Sequence, residues 1–146
     1  MYPFYLEIEL IKPVSDYLKN QGYKVYHEIQ IGFCRADLVG FKKNRTVAVE
    51  LKLSDWKKAI VQAKNYQFGA DYVYLAFPLK KSFNVLKKTE HILKKEGIGF
   101  LVVEEKDCNV RKILDAKPSK KKICSITLEE FKRNQRKQCK TKFKRR

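Results

Sequence analysis

No apolar run in the 146 residues approaches the roughly 18 needed to span a membrane, so no membrane role is expected. The N-terminus, MYPFYLEIELIK, meets glutamates early and has no basic segment leading into an apolar block, which argues against a secretory signal. The four cysteines, Cys34, Cys108, Cys124 and Cys139, form no CxxC pair and have no histidine at ligand spacing. Zinc and iron–sulfur centres are therefore disfavoured, and reduced thiols in the cytoplasm are the expected setting. His27 and His91 are isolated and read as ordinary surface or partly buried side chains. No internal repeat is present. Acidic residues are also few, 16 Asp/Glu against 33 Lys/Arg, which leaves a net charge of +17.

That charge points to a polyanionic partner, most simply nucleic acid. It is unevenly placed. Residues 106–146 hold 16 Lys/Arg and 4 Asp/Glu, a balance of +12, against +5 for residues 1–105. We divide the chain accordingly into a domain over 1–105 and a basic C-terminal extension over 106–146. An apolar content of 44% supports a packed globule.

Periodicity predicts the elements in order. Residues 6–19 read as a helix with Glu7, Leu10, Ile11, Val14 and Leu18 on one face, although Pro13 inside it calls for a bend there or a later start. On this phase Glu7 points to the body and Glu9 away. Gly22 suits the turn after the helix. Strands are expected over 23–29, 34–40 and 46–53, with a turn at Gly32 and a basic hairpin loop at Lys42-Lys43-Asn44-Arg45. Short connections make these three an antiparallel meander. Asp55 can cap a helix from Trp56 to Phe68, with Trp56, Ala59, Ile60 and Ala63 as its apolar stripe. A strand over 72–77 follows, so a parallel pairing is expected. Ser82 is a candidate cap for a helix over 83–96 that buries Phe83, Leu86, Ile92 and Leu93. Then come a strand over 98–103, a short strand near 110–114 and a loop over 115–122. A capping box from Thr127 to Glu130 opens a basic helix to about Gln138.

The residues that carry chemistry lie between Arg35 and Tyr66. Asp37 sits inside the apolar run Ala36–Val39, and Glu50 closes the run Val47–Val49. An unpaired buried charge is strongly disfavoured, so carboxylates inside strands call for a reason. Alternation puts Glu50 and Lys52 on the same side of their strand, roughly 7 Å apart. Gln62 and Tyr66 fall one turn apart on the next helix. Two carboxylates on neighbouring strands can hold Mg²⁺ or Mn²⁺ through oxygen, leaving coordination sites for water and a phosphate. Lys52 beside them can orient the attacking water or stabilise the transition state.

This constellation resembles the PD-(D/E)xK nuclease superfamily, with its restriction-endonuclease-like fold. The resemblance covers residues 7–77 and rests on Glu7, Asp37 in RADLVG, Glu50-Leu51-Lys52, and Gln62 and Tyr66 in QAKNY. Ala36 stands where the motif has proline. The resemblance implies an α/β core in αβββαβ order, with a mixed sheet of 4–5 strands flanked by helices. It implies Asp37 and Glu50 as ligands of Mg²⁺ (with Mn²⁺ as a substitute), Lys52 as the catalytic lysine and Glu7 as an accessory acid. The Gln-x-x-x-Tyr element resembles that of RecB-like nucleases, where it supports the active site and contacts DNA. Lys58, Arg35, Lys42, Lys43 and Arg45 are candidate nucleic-acid contacts or site supports. The implied activity is hydrolysis of DNA phosphodiester bonds by an endonuclease acting on branched, repair or foreign DNA. A homodimer would suit the cutting of both strands. The alternatives are a nuclease-fold module that binds DNA without cutting, and a basic RNA-binding protein.

Overall fold

Six strands hydrogen-bond in strict sequence order, β1-β2-β3-β4-β5-β6, into one mixed sheet. They are β1 (Lys24–Ile31), β2 (Cys34–Lys42), β3 (Arg45–Leu51), β4 (Tyr72–Pro78), β5 (Gly99–Val103) and β6 (Val110–Leu114). The computed structural model describes residues 4–31 and 34–122. The expected turn at Gly32 and the capping box and helix expected from Thr127 lie outside the described residues.

The first three strands form the expected antiparallel meander. The β3–β4 and β4–β5 pairs are parallel, and β6 returns antiparallel along β5. Two helices make the parallel crossovers, α2 (Trp56–Tyr66) between β3 and β4 and α3 (Leu79–Glu96) between β4 and β5. A short 3-10 helix (Glu7–Leu10) runs directly into α1 (Ile11–Asn20).

Strand alternation divides the core into two layers. Val47, Val49 and Leu51 of β3 face α1 with Leu10, Val14 and Leu18. Ala48 of β3 faces α2 and α3 with Ala59, Ile60, Ala63, Tyr66, Val85 and Leu93. The molecule is thus an α/β sandwich, a six-stranded mixed sheet between α1 on one side and α2 and α3 on the other.

Four details depart from the sequence reading. The regular helix begins at Ile11 rather than near residue 6. Pro13 therefore lies in the first turn, where a missing N–H forfeits no helical bond. Ser82 does not cap α3. Pro78, in extended conformation, holds that position, and the Ser82 hydroxyl inside the helix donates to the Leu79 carbonyl at 2.7 Å. Phe83 does not face inward and is 69% exposed. The buried row is Ser82, Val85, Thr89 and Leu93, which sets a phase that turns Phe83 to solvent. Lastly, the sheet has six strands rather than 4–5, because β6 adds an edge.

That edge also carries the sheet past the division at 105/106. Beyond β6 the chain stays tied to the body. Lys117 N–H donates to the Gly97 carbonyl at 2.9 Å and Ser119 N–H to the Asp71 carbonyl at 2.8 Å. The Lys122 ammonium pairs with the Asp71 carboxylate. Gly97 takes the left-handed conformation at φ 73° that ends α3. Among the described residues, no helix is long and apolar enough to cross a membrane.

Candidate active site

The two interior strands β2 and β3 pair with Leu38 opposite Val49, and the same register carries Asp37 to Glu50. Asp37 shares strand parity with Val39 and Phe41, and Glu50 with Ala48, all on the α2/α3 face. Where the ladder would continue, a side chain takes over, and Leu51 N–H donates to Asp37 Oδ2 at 2.9 Å. This bond fixes the Asp37 carboxylate at the end of the β2–β3 ladder.

Glu50 is 3% exposed. The Tyr66 phenol reaches across from α2 and lies 2.8 Å from Glu50 Oε1 and 3.1 Å from the Arg35 carbonyl oxygen. Burial is the main influence on Glu50 and disfavours its charged form. Asp37 adds to this through a side-chain hydrogen bond and through its charge. Tyr66 and Lys52 pull the other way but do not prevail, and the carboxyl is pushed up from 4.5 to about 8. Burial, and then Glu50, push the Tyr66 phenol upward, so it stays a protonated donor.

Lys52 follows the end of β3, and its N–H bonds the Ala76 carbonyl of β4 at 3.1 Å. Its ammonium lies 3.8 Å from Glu50 Oε2 and 3.6 Å from Glu7 Oε1. Glu7 comes from the 3-10 helix and is half-exposed, so Lys52 bridges a buried and a wet carboxylate. Glu9 has a different task, since its Oε1 accepts from the backbone N–H of Tyr5 at 3.0 Å and of Leu6 at 2.8 Å.

The structure thus brings Asp37, Glu50, Lys52, Glu7 and Tyr66 together. Gln62 stands one turn before Tyr66 on α2, half-buried, its side-chain amide without a hydrogen bond to another described residue. Arg35 lends its backbone carbonyl to Tyr66, while the residue itself is exposed. Lys58 is exposed, and its N–H is what Asp55 caps, at 3.2 Å. Lys42, Lys43 and Arg45 lie elsewhere. They occupy the β2–β3 hairpin, about 17 Å along β3 from Glu50 at strand rise. Lys42 Nζ donates to the Gln21 carbonyl at 2.7 Å, and the Arg45 guanidinium lies over the Tyr72 ring at 5.0 Å.

One neighbour of the site escaped the sequence reading. Glu28 falls opposite Asp37 in the β1–β2 register, between the pairs His27–Leu38 and Ile29–Ala36, and holds a positive φ of 55°. Such backbone in a non-glycine residue leaves no mark in an alternation pattern. Among the described residues, no three His, Cys, Asp or Glu side chains converge as a ligand set. The oxygen donors gathered here are the Asp37 and Glu50 pair. Carboxylate oxygens suit a hard divalent cation with an incomplete protein shell, so the residues fit Mg²⁺ or Mn²⁺.

No family model matches the chain, and no curated protein does either. Among solved structures, SfsA from Pyrococcus furiosus, determined in complex with Ca²⁺, aligns with a TM-score of 0.45 at 12% sequence identity. The alignment covers 75% of this chain and 64% of that one, so the chain spans somewhat less than two thirds of the SfsA length.

Proposed function

We propose that the protein is a metal-dependent endonuclease that hydrolyses DNA phosphodiester bonds at the Asp37–Glu50–Lys52 centre, in the manner of PD-(D/E)xK enzymes. The observation that carries this reading is the side-by-side placement of the Asp37 and Glu50 carboxyls on interior strands, with the Lys52 ammonium 3.8 Å from Glu50 Oε2. Like charges brought together in a buried place are unstable alone, and a divalent cation resolves the conflict. Asp37 and Glu50 would hold Mg²⁺, with Mn²⁺ able to substitute. Bound there, the ion would polarise a phosphoryl oxygen and acidify a water.

The chain's own residues supply the rest. Leu51 N–H and the Tyr66 phenol aim the two carboxylates. Lys52 presents a cation to charge that develops on the phosphorus oxygens, and can orient the attacking water. Glu7 holds Lys52 from the solvent side. The net charge of +17 concentrates a polyanionic substrate at the surface. A homodimer would set two such centres against the two strands of a duplex.

A cleavage panel tests this reading, with Mg²⁺ and Mn²⁺ on duplex, single-stranded, flapped and four-way-junction DNA. The wild-type chain is expected to cut at least one substrate. Asp37→Ala, Glu50→Ala and Lys52→Ala are each expected to abolish cutting while the fold persists. Normal metal-dependent cleavage by Glu50→Ala overturns the assignment. Retained DNA binding with no cleavage of any substrate favours a binding module instead.

A further inference from the structure

At the opposite end of the sheet, on the α1 face, lies a cavity of about 240 Å³. Its walls are Tyr17 from α1, Tyr23 ahead of β1, Tyr72 and Tyr74 from β4, Arg45 from β3 and Lys112 from β6. All four tyrosines are half-buried, and the Tyr23 and Tyr72 rings each carry a cation on one side, Lys42 at 5.4 Å and Arg45 at 5.0 Å. The position is built rather than incidental. A Cβ at residue 99 would come within 2.3 Å of the Tyr74 ring, so Gly99 is what lets that ring lie across β5. The Tyr74 hydroxyl lies near the Ala116 backbone, and the Arg45 guanidinium near the Tyr23 phenol.

The lining chemistry selects a ligand class. Several aromatic faces suit a planar group or a cation. Arg45 already covers Tyr72, and Lys112 stands at the β6 wall, so a cationic guest meets like charge. Lys112 is partly answered by Asp115 at 2.6 Å, but Arg45, with the Lys42 ammonium over the Tyr23 ring at 5.4 Å, keeps this wall basic. A planar body joined to an anion satisfies both features. We propose that this pocket takes one unpaired nucleotide, its base stacked on the tyrosines and its phosphate on Arg45. Stacking is indifferent to base identity, because every base presents a π-face. The site uses none of the carboxylate residues and stands apart from the endonuclease reading.

Binding measured in EDTA separates the two ideas, since metal-dependent cleavage is then silent. The full-length chain is titrated against a short fluorescein-labelled oligo-dT strand, the same sequence as a duplex, and thymidine monophosphate as competitor. Wild type is expected to prefer the single strand. Arg45→Gln and Tyr72→Leu are each expected to weaken strand binding by about tenfold and to leave duplex binding unchanged. Tyr72→Phe keeps a stacking face and is expected to bind as wild type. Arg45 is exposed, so its variant reports binding even if Tyr72→Leu fails to fold. Competition by the monophosphate assigns the pocket to nucleotides free as well as chain-bound, and no competition alongside a selective strand defect assigns it to a strand. Unchanged strand affinity in Arg45→Gln and Tyr72→Leu overturns the proposal, as do equal losses on strand and duplex.

Discussion

Glu50 is the residue on which both stability and chemistry turn. Between its ordinary 4.5 and about 8, the folded chain keeps a proton that the unfolded chain has released. Its contribution to stability is thus fully present below 4.5 and is lost as pH rises through about 8. Denaturation midpoints of the metal-free protein are expected to fall across that window, and Glu50→Gln is expected to flatten the fall. Tyr66→Phe removes the donor to Glu50 and leaves buried oxygen unpaired, a change that costs about 1–3 kcal/mol. Chemical denaturation reads that loss directly. Both residues were legible from spacing, because E-x-K forces two side chains to one side of a strand and Gln-x-x-x-Tyr to one shoulder of a helix. The mutual aim of Asp37 and Glu50 was not legible. It depends on the β2–β3 register, which long-range pairing sets rather than local pattern.

At the scale of elements, the helices show where local signals suffice. Asp55 was readable as a cap because its carboxylate meets the Lys58 N–H, and Asp55→Ala is expected to destabilise by about 1 kcal/mol in thermal or chemical melts. Ser82 carried the same signal and was overridden. Pro78 ends β4 and opens α3 without a spacer, so the helix begins earlier and Ser82 becomes an interior residue. Pro13, by contrast, pointed to the later start of α1, since a proline is tolerated in a helix's first turn. The strands read well because Val47–Leu51 and Tyr72–Pro78 are β-branched and aromatic runs bounded by polar or turn residues. A test of packing rather than propensity is Gly99→Ala. Its methyl would meet the Tyr74 ring and come 2.8 Å from the Ala116 nitrogen, so a loss of about 1–3 kcal/mol is expected on melting, together with a disturbed tyrosine pocket.

For the whole molecule, the charge gradient suggested a domain boundary that the sheet does not observe. A basic composition is a surface property and sets no boundary against β6, the strand expected near 110–114, whose Val110 and Leu114 pack on the core layers. A chain truncated after 105 would bare the β5 edge and the apolar surface under β6, and is expected to aggregate or melt at a lower temperature. Truncation after 122 keeps every described contact and removes nine Lys/Arg and two Asp/Glu. It is expected to stay folded while its DNA affinity drops and the slope of affinity against salt flattens. An unchanged slope would show that residues 123–146 make no phosphate contacts.

The sheet order has one more consequence, in the time domain. β2 and β3 are flanked on both sides, while β1 and β6 form the edges. Opening fluctuations begin at edges and ends and reach interior strands last. The Leu51 amide that anchors Asp37 lies at the end of a strand but in the interior of the sheet, and should therefore exchange with solvent deuterium more slowly than the amides of β1 and β6. The carboxylate pair would then stay assembled while the edge strands fray.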